Sequence, residues 1–408
     1  METKVFGCKV NKYYTDLWLK SDFLKDKRGI FIASCVVTDK AKKKWIKFVK
    51  QNISKLQEDE KIFISGCGAL KKGEKDELFF ETYNELNDWR EKIVLLGEAP
   101  KEEQKEEEKQ ENKSLALTKK FIVIQGGCDS FCTFCLTVQK RGAHFSRQKE
   151  AILKDILAFE KRGGKEVVLT GINLSAWGMA STNDIGKSRL GELLHYILEN
   201  TSIPRIRISS LGPEFIDDTV LEIFAKKRIY PHFHLSLQSS SDTILKSMAR
   251  HYDKKYIETL LQKITKIQRE DRVKISIGAD IIVGFPGETE DDFIETCELI
   301  QKYTINKVHC FPFSAHNFGE TVPASFFPDQ VNEKIKNERQ KRLLSLAEKI
   351  RNEFIQSQKG KEFNVLVEKV AKEKFEGWTE NYIEINEKNF VIKNGEVKKN
   401  TIITGTLI

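Results

Sequence analysis

The sequence lacks any run approaching the ~20 continuous apolar residues of a membrane-spanning helix, and its opening Met1-Glu2-Thr3-Lys4 starts no secretory leader. Both absences predict a cytoplasmic protein. A strong charge of one sign is missing too. The 68 Lys and Arg exceed the 60 Asp and Glu by only eight over 408 residues, which permits a polyanionic partner without demanding one. A disulfide framework is likewise not expected, since a chain long enough to bury a core needs no covalent staples in a reducing compartment. What is there is a globular composition, 40% hydrophobic and 31% charged with 26 Phe, which excludes a disordered chain. The length predicts about two to three domains.

Residues 101–114 hold no apolar side chain, so 99–116 reads as a charged linker between an N-terminal domain, 1–98, and a second, 117–356. Within 1–98, β-rich runs at 4–6, 29–35, 61–65 and 92–96 alternate with helical stretches at 10–25 and 38–56, which predicts a parallel α/β domain. Cys8, Cys35 and Cys67 each follow a predicted strand and would therefore share one edge of one sheet. The 38–56 helix places Ala41, Trp45, Phe48, Val49 and Asn52 on one face. On another it carries Lys40, Lys43, Lys44 and Lys47, either plainly solvated or aimed at RNA phosphates.

The alternation continues beyond the linker. Strands are predicted at 121–125, 166–170, 205–209, 232–237, 273–283 and 307–313, with helices at 149–162, 189–199, 213–227, 254–269 and 289–303. Six such units predict a partial (βα)6 barrel with its site at the C-terminal strand ends. A long helix spans 328–356, and the change to alternating β-runs in 357–408 predicts a small β-barrel.

Chemistry concentrates at Cys128-Asp-Ser-Phe-Cys132-Thr-Phe-Cys135, directly after a predicted strand. Three close thiolates hold three corners of a 4Fe-4S cluster and leave one iron open to a small molecule bearing an amine and a carboxylate. The competing reading is a zinc site, for which His144 is the nearest fourth ligand. Cys297 and Cys310 match no motif and read as buried structural thiols. Thr170-Gly171 and Gly284-Phe-Pro-Gly-Glu288 end strands where bare backbone approaches a ligand or merely turns. Ser209, Ser210 and Gln238 are short polar groups at strand ends. Arg207 and Arg250 offer bidentate contacts to carboxylates or phosphates, or structural ion pairs. Trp378 and Tyr382 offer rings to RNA bases, or to the core.

The CxxxCxxC spacing with Phe134 before its last cysteine resembles the radical SAM enzymes, and further stretches narrow the resemblance to their methylthiotransferases. It covers nearly the whole chain. The stretches are Gly7-Cys8-Lys9-Val10-Asn11, Ser34-Cys35-Val36-Val37-Thr38, Gly66-Cys67, Gln125-Gly-Gly-Cys128, Leu169-Thr-Gly-Ile-Asn173, His234-Leu-Ser-Leu-Gln-Ser239 and Asp280-Ile-Ile-Val-Gly-Phe-Pro-Gly-Glu-Thr289, with a terminal module similar to the RNA-binding TRAM domain. Arg207-Ile-Ser-Ser-Leu211 and Met248-Ala-Arg-His-Tyr252 look most like the branch acting on threonylcarbamoyl-adenosine in tRNA.

The resemblance implies a transferase using S-adenosylmethionine and two 4Fe-4S clusters, one on Cys128, Cys132 and Cys135 that generates a 5′-deoxyadenosyl radical, and one on Cys8, Cys35 and Cys67 that carries sulfur. It implies cofactor contacts at Phe134, Thr170, Gly171, Gln238 and Gly284, and substrate contacts at Arg207 and Arg250. It also implies tRNA, a reductant and a sulfur source as partners. Related enzymes act on isopentenyl-adenosine or on an aspartate of a ribosomal protein; a zinc-dependent RNA-binding protein is the alternative without catalysis. The chain departs from the pattern at Val138 (usually proline), Ser240 (usually glycine), His316 (usually arginine) and Ala33-Ser34 (usually asparagine-threonine), and 314–321 looks lengthened.

Overall fold

A computed structural model describes residues 1–69, 76–97, 118–181, 188–316, 320–372 and 374–408, so the expected linker at 99–116 lies outside the described residues. The chain divides into two compact units. The first comprises Met1–Asn112, Gly127–His144 and Ser314–Phe327, and the second Lys113–Gly126, Phe145–Phe313 and Pro328–Ile408. The cysteine-rich loop thus groups with the N-terminal segment, a partition that sequence order alone does not reveal. No helix among the described residues is long and apolar enough to cross a membrane.

In the first unit, β1 (Glu2–Val5), β2 (Gly29–Ser34), β3 (Lys61–Gly66) and β4 (Ile93–Leu95) form one parallel sheet in that order. Helix Asp39–Ile53 starts where the Thr38 side chain accepts the Ala41 N–H, and buries Trp45, Ile46, Val49 and Ile53. Lys40, Lys43, Lys44 and Lys47 stay exposed. The helix expected over 10–25 stops at Leu19, because Ser21 turns extended and its hydroxyl donates to the Trp18 carbonyl at 2.6 Å, satisfying a helix-end acceptor.

The second unit holds β5 (Lys119–Val123), a short antiparallel pair of β6 (Gln125–Gly126) and β7 (Phe145–Ser146), then β8 (Glu166–Thr170), β9 (Arg205–Ile208), β10 (His232–Gln238), β11 (Ser276–Val283) and β12 (Ile305–Pro312). Parallel triples β5-β8-β9 and β10-β11-β12 are joined through a parallel bridge between Leu211 and Leu235, giving the six barrel strands. Val167, Leu169, Ile206, Phe233, Leu235 and Ile277 join the surrounding helices in one core. By the two-residue strand period, Glu166, Arg205, Arg207, His232, His234 and Asp280 take the opposite face. The helix expected over 213–227 is a turn, Pro213–Phe215, followed by helix Asp218–Ile223, because Asp217 starts a new cap by accepting the Val220 N–H at 2.9 Å.

The C-terminal module is a curled antiparallel sheet of β13 (Glu362–Ala371), β14 (Lys374–Trp378), β15 (Glu384–Asn386), β16 (Phe390–Asn394) and β17 (Ile402–Leu407), in the order β15-β14-β13-β17-β16. Among the described residues its outer strands, β15 and β16, are not paired with each other, so the expected barrel is half closed. Helix Glu333–Gln356 ties module to barrel: Leu343 and Ile350 belong to the barrel core, and Phe354 to the module's.

Candidate functional site

Parallel pairing brings the C-terminal ends of β1, β2 and β3 to one edge, and Cys8, Cys35 and Cys67 lie just beyond them. Cys8 caps helix Lys9–Leu19 and is exposed, whereas Cys35 is buried. Gly66 holds φ +88°, and a Cβ there would lie 2.4 Å from the Ser34 carbonyl oxygen, so only glycine lets β3 pass so close before Cys67. The Asn11 amide donates to the carbonyls of Phe6 at 2.9 Å and Ser34 at 2.7 Å, clamping the chain just ahead of Cys8 and Cys35. Burial pushes the Cys35 thiol up to about 12, and the neighbouring Cys67 and Cys8 add to the rise. Burial raises Cys67 as well, opposed by the cationic Arg141, whose Nε donates to Cys67 Sγ at 3.1 Å.

Cys128, Cys132 and Cys135 lie on a loop closed at its base. Cys128 N–H donates to the Gly142 carbonyl at 3.0 Å, and a Cβ on Gly127 (φ +63°) would sit 1.7 Å from the Ala143 oxygen. Cys135 Sγ lies 3.0 Å from Thr137 Oγ1 and accepts the Thr137 N–H at 3.4 Å; burial pushes this thiol up to about 11. Phe134 is half-buried, while Phe131 is exposed at φ +49°. The segment 314–327 is stitched to both neighbours. Ala324 N–H donates to the Thr133 carbonyl at 2.9 Å, and Glu320 pairs with Lys140 and, at 3.5 Å, with the buried Lys42. His316 is buried here; burial, then Lys42, hold its imidazole down near 4.

Among the described residues, one group of three His, Cys, Asp or Glu side chains has its ligand atoms within 4.8 Å of one another: His234, Asp280 and His309. Each cysteine set offers three thiols, the number that leaves one iron of a four-iron cluster without a protein ligand.

On the inward face of the second unit, Ser209 donates to Thr170 Oγ1 at 3.2 Å, and Gly171 packs on Gln125, whose side-chain oxygen accepts the N–H groups of Ile172 and Asn173 at 2.9 and 2.8 Å. Gln238 ends β10 at φ +68°, an uncommon backbone for a residue with a side chain. Gly284 N–H donates to Glu288 Oε2 at 2.6 Å. Burial lifts Glu288 to about 7, against that bond and the Arg339 guanidinium 2.7 Å away. Asp280 accepts from His234 Nε2 at 2.9 Å and His309 Nδ1 at 3.2 Å, and despite burial these bonds hold its carboxyl below the usual range.

Arg207 and Arg250 each lie beside a carboxylate. Arg207 is buried, its Nε 3.0 Å from Glu166 Oε1 and its guanidinium 3.8 Å from the Tyr230 ring centroid and 4.3 Å from that of Tyr382. Arg250 lies 3.4 Å from Glu214 and donates to the Tyr252 hydroxyl at 2.9 Å. Tyr382 also stacks on His232 at 4.8 Å and lies 4.9 Å from the Trp378 ring, and the Trp378 carbonyl accepts from Arg205 at 3.1 Å. The sequence singles out neither Arg141 nor Glu166 nor His309, and carries Asn11 only as the end of the Gly7–Asn11 stretch. The two-residue strand period marks Glu166 and His309 as inward-facing, but nothing local marks Arg141.

The Radical SAM superfamily profile matches residues 122–300. The threonylcarbamoyladenosine tRNA methylthiotransferase MtaB of Bacillus subtilis is 30% identical over 93% of this chain and 88% of its own, and that of Aquifex aeolicus is 34% identical over 95% and 96%. The tRNA-2-methylthio-N(6)-dimethylallyladenosine synthase of Bartonella tribocorum is 30% identical over 90% and 85%.

Proposed function

The chain belongs to the MtaB-like methylthiotransferases of the radical SAM superfamily, and from that premise we propose that it inserts a methylthio group at C2 of N6-threonylcarbamoyladenosine in tRNA. Membership implies S-adenosylmethionine and a 4Fe-4S cluster, for which Cys128, Cys132 and Cys135 are the proposed ligands. The observation that carries the reading further is the second cysteine set, Cys8, Cys35 and Cys67, gathered at one sheet edge in the same unit as the first. When bound, the first cluster supplies the electron that cleaves S-adenosylmethionine and the second supplies sulfur.

The chain's own part is to hold and shield. Thr137 N–H hydrogen-bonds the Cys135 sulfur, the Gly127 turn closes the loop, and Gln125 fixes the backbone after Thr170 and Gly171. Phe134, Thr170, Gly171, Gln238 and Gly284 remain the proposed cofactor contacts. Turnover consumes electrons and sulfur, so a reductant and a sulfur source are partners. A second reading, dimethylallyl-adenosine as the substrate, draws on Glu166 and Glu214 lying beside Arg207 and Arg250, where they offset the cations first expected to meet a carboxylate. Anaerobic turnover with tRNA carrying each modification decides between them. Faster conversion of the threonylcarbamoyl form is expected, and equal or faster conversion of the dimethylallyl form overturns the proposal.

A further inference from the structure

Helix Thr137–Arg141 begins two residues after Cys135, and its last residue reaches the other cysteine set. Arg141 is largely buried. Its Nε donates to Cys67 Sγ at 3.1 Å, its Nη2 donates to Asn11 Oδ1, and its guanidinium lies 5.7 Å from the Tyr14 ring centroid. Asn11 in turn holds the carbonyls of Phe6 and Ser34, two and one residues ahead of Cys8 and Cys35. One guanidinium therefore touches Cys67 directly and the other two cysteine loops through one amide. A guanidinium bonded to a ligand sulfur is best compensated when that sulfur is a thiolate, as it is when it ligates iron.

We propose that Arg141 is a positioning residue that fastens the sulfur-carrying cluster to the helix leaving the S-adenosylmethionine cluster, and that tunes that second cluster through its bond to Cys67. The proposal rests on reading Cys8, Cys35 and Cys67 as the ligands of a second cluster. It has two consequences. Mechanically, a five-residue helix and one side chain form a direct link between the two cysteine sets. Electrostatically, a charge-assisted hydrogen bond to a ligand sulfur withdraws electron density and raises the cluster's reduction potential.

The test isolates the second cluster by replacing Cys128, Cys132 and Cys135 with Ala in the full chain, then adds Arg141→Gln or Arg141→Lys. Iron and sulfide per chain, the rate of iron loss to bathophenanthroline, and the midpoint potential from electron paramagnetic resonance titration are read under anaerobic conditions. The triple variant should retain about four irons. Arg141→Gln should shift the potential downward and release iron about tenfold or more faster, the range typical for outer-shell partners, and Arg141→Lys should recover part of both. With all six cysteines present, Arg141→Gln should raise the ratio of 5′-deoxyadenosine to methylthiolated product. Four irons with unchanged potential and release overturn the role of Arg141 alone; an iron-free triple variant with native circular dichroism overturns the two-cluster reading and this proposal with it.

Discussion

The two units gather their polar chemistry in opposite ways. In the first, the central strands β2 and β3 are mostly apolar and buried, and the reactive sulfurs stand on loops beyond the strand ends or on the closed loop at 127–144. In the second, the charges sit on the strands themselves: Glu166 takes Arg207, Arg205 and the Tyr230 hydroxyl at 3.0, 3.5 and 2.6 Å, and Asp280 takes two histidines. Removing a loop sulfur is expected to alter chemistry more than fold, least so for Cys35, which belongs to the first unit's core. Buried ion pairs are part of the fold, because each charge left without its partner pays the full cost of desolvation.

The sharpest break of that contrast is at the cysteines. Cys132→Ala should reduce S-adenosylmethionine cleavage to background, read as 5′-deoxyadenosine by chromatography, with little change in thermal midpoint once both proteins are stripped of iron. Cys35→Ala should keep cleavage near wild type and abolish methylthiolation. Normal methylthiolation by Cys35→Ala would remove that residue from the sulfur-bearing set.

Next in size is Glu166→Ala, which takes from the buried Arg207 its carboxylate partner and from Arg205 the nearest of its carboxylates, and should cost about 3–5 kcal/mol in urea unfolding. Breaking the exposed pair of Lys226 and Glu270 should cost about 0–1 kcal/mol, and equal losses at the two places would dissolve the contrast.

His316 tests the exception, a titratable group buried in the sulfur-bearing unit. Its ordinary value is 6.5, and burial with Lys42 beside it holds it near 4 in the folded state, where Asp39 and Glu320 only partly oppose the drop. The unfolded chain therefore binds more protons between those values. Stability should be full above pH 6.5 and fall by up to about 3 kcal/mol as pH drops toward 4, and His316→Gln should flatten that slope. The smallest effect belongs to the exposed Lys40, Lys43, Lys44 and Lys47. Replacing all four with Gln should weaken tRNA binding several-fold and lower the salt slope by about one for each phosphate no longer bound; an unchanged slope makes them a solvated face.

How much was legible follows the same division. The strand-end positions of Cys8, Cys35 and Cys67 follow from strand order and chain direction, and the CxxxCxxC loop is local, so the placement of both sets was legible in the sequence. Arg207 could not. A strand period places it on the inward face, but its partner Glu166 lies 41 residues earlier, and nothing near either residue announces the pairing. Trp378 and Tyr382 are ambiguous for the same reason, since an aromatic on a small sheet suits a base or a neighbouring strand equally well. Arg141 escaped because an arginine ending a short helix has no local sign of facing sulfur.

Tyr382 carries one more consequence. It is held at φ +70°, stacked on His232 and Arg207, with Lys307 3.3 Å from its ring centroid and Arg351 donating to its carbonyl. The C-terminal sheet is therefore not an interchangeable cassette hung on an enzyme that is whole without it. A chimera carrying a relative's last fifty residues would have to bring a matching tyrosine turn, or else recut the inner faces of β9, β10 and β12, and a chain ending at Gln356 would expose a row of charges to water that the intact protein keeps dry.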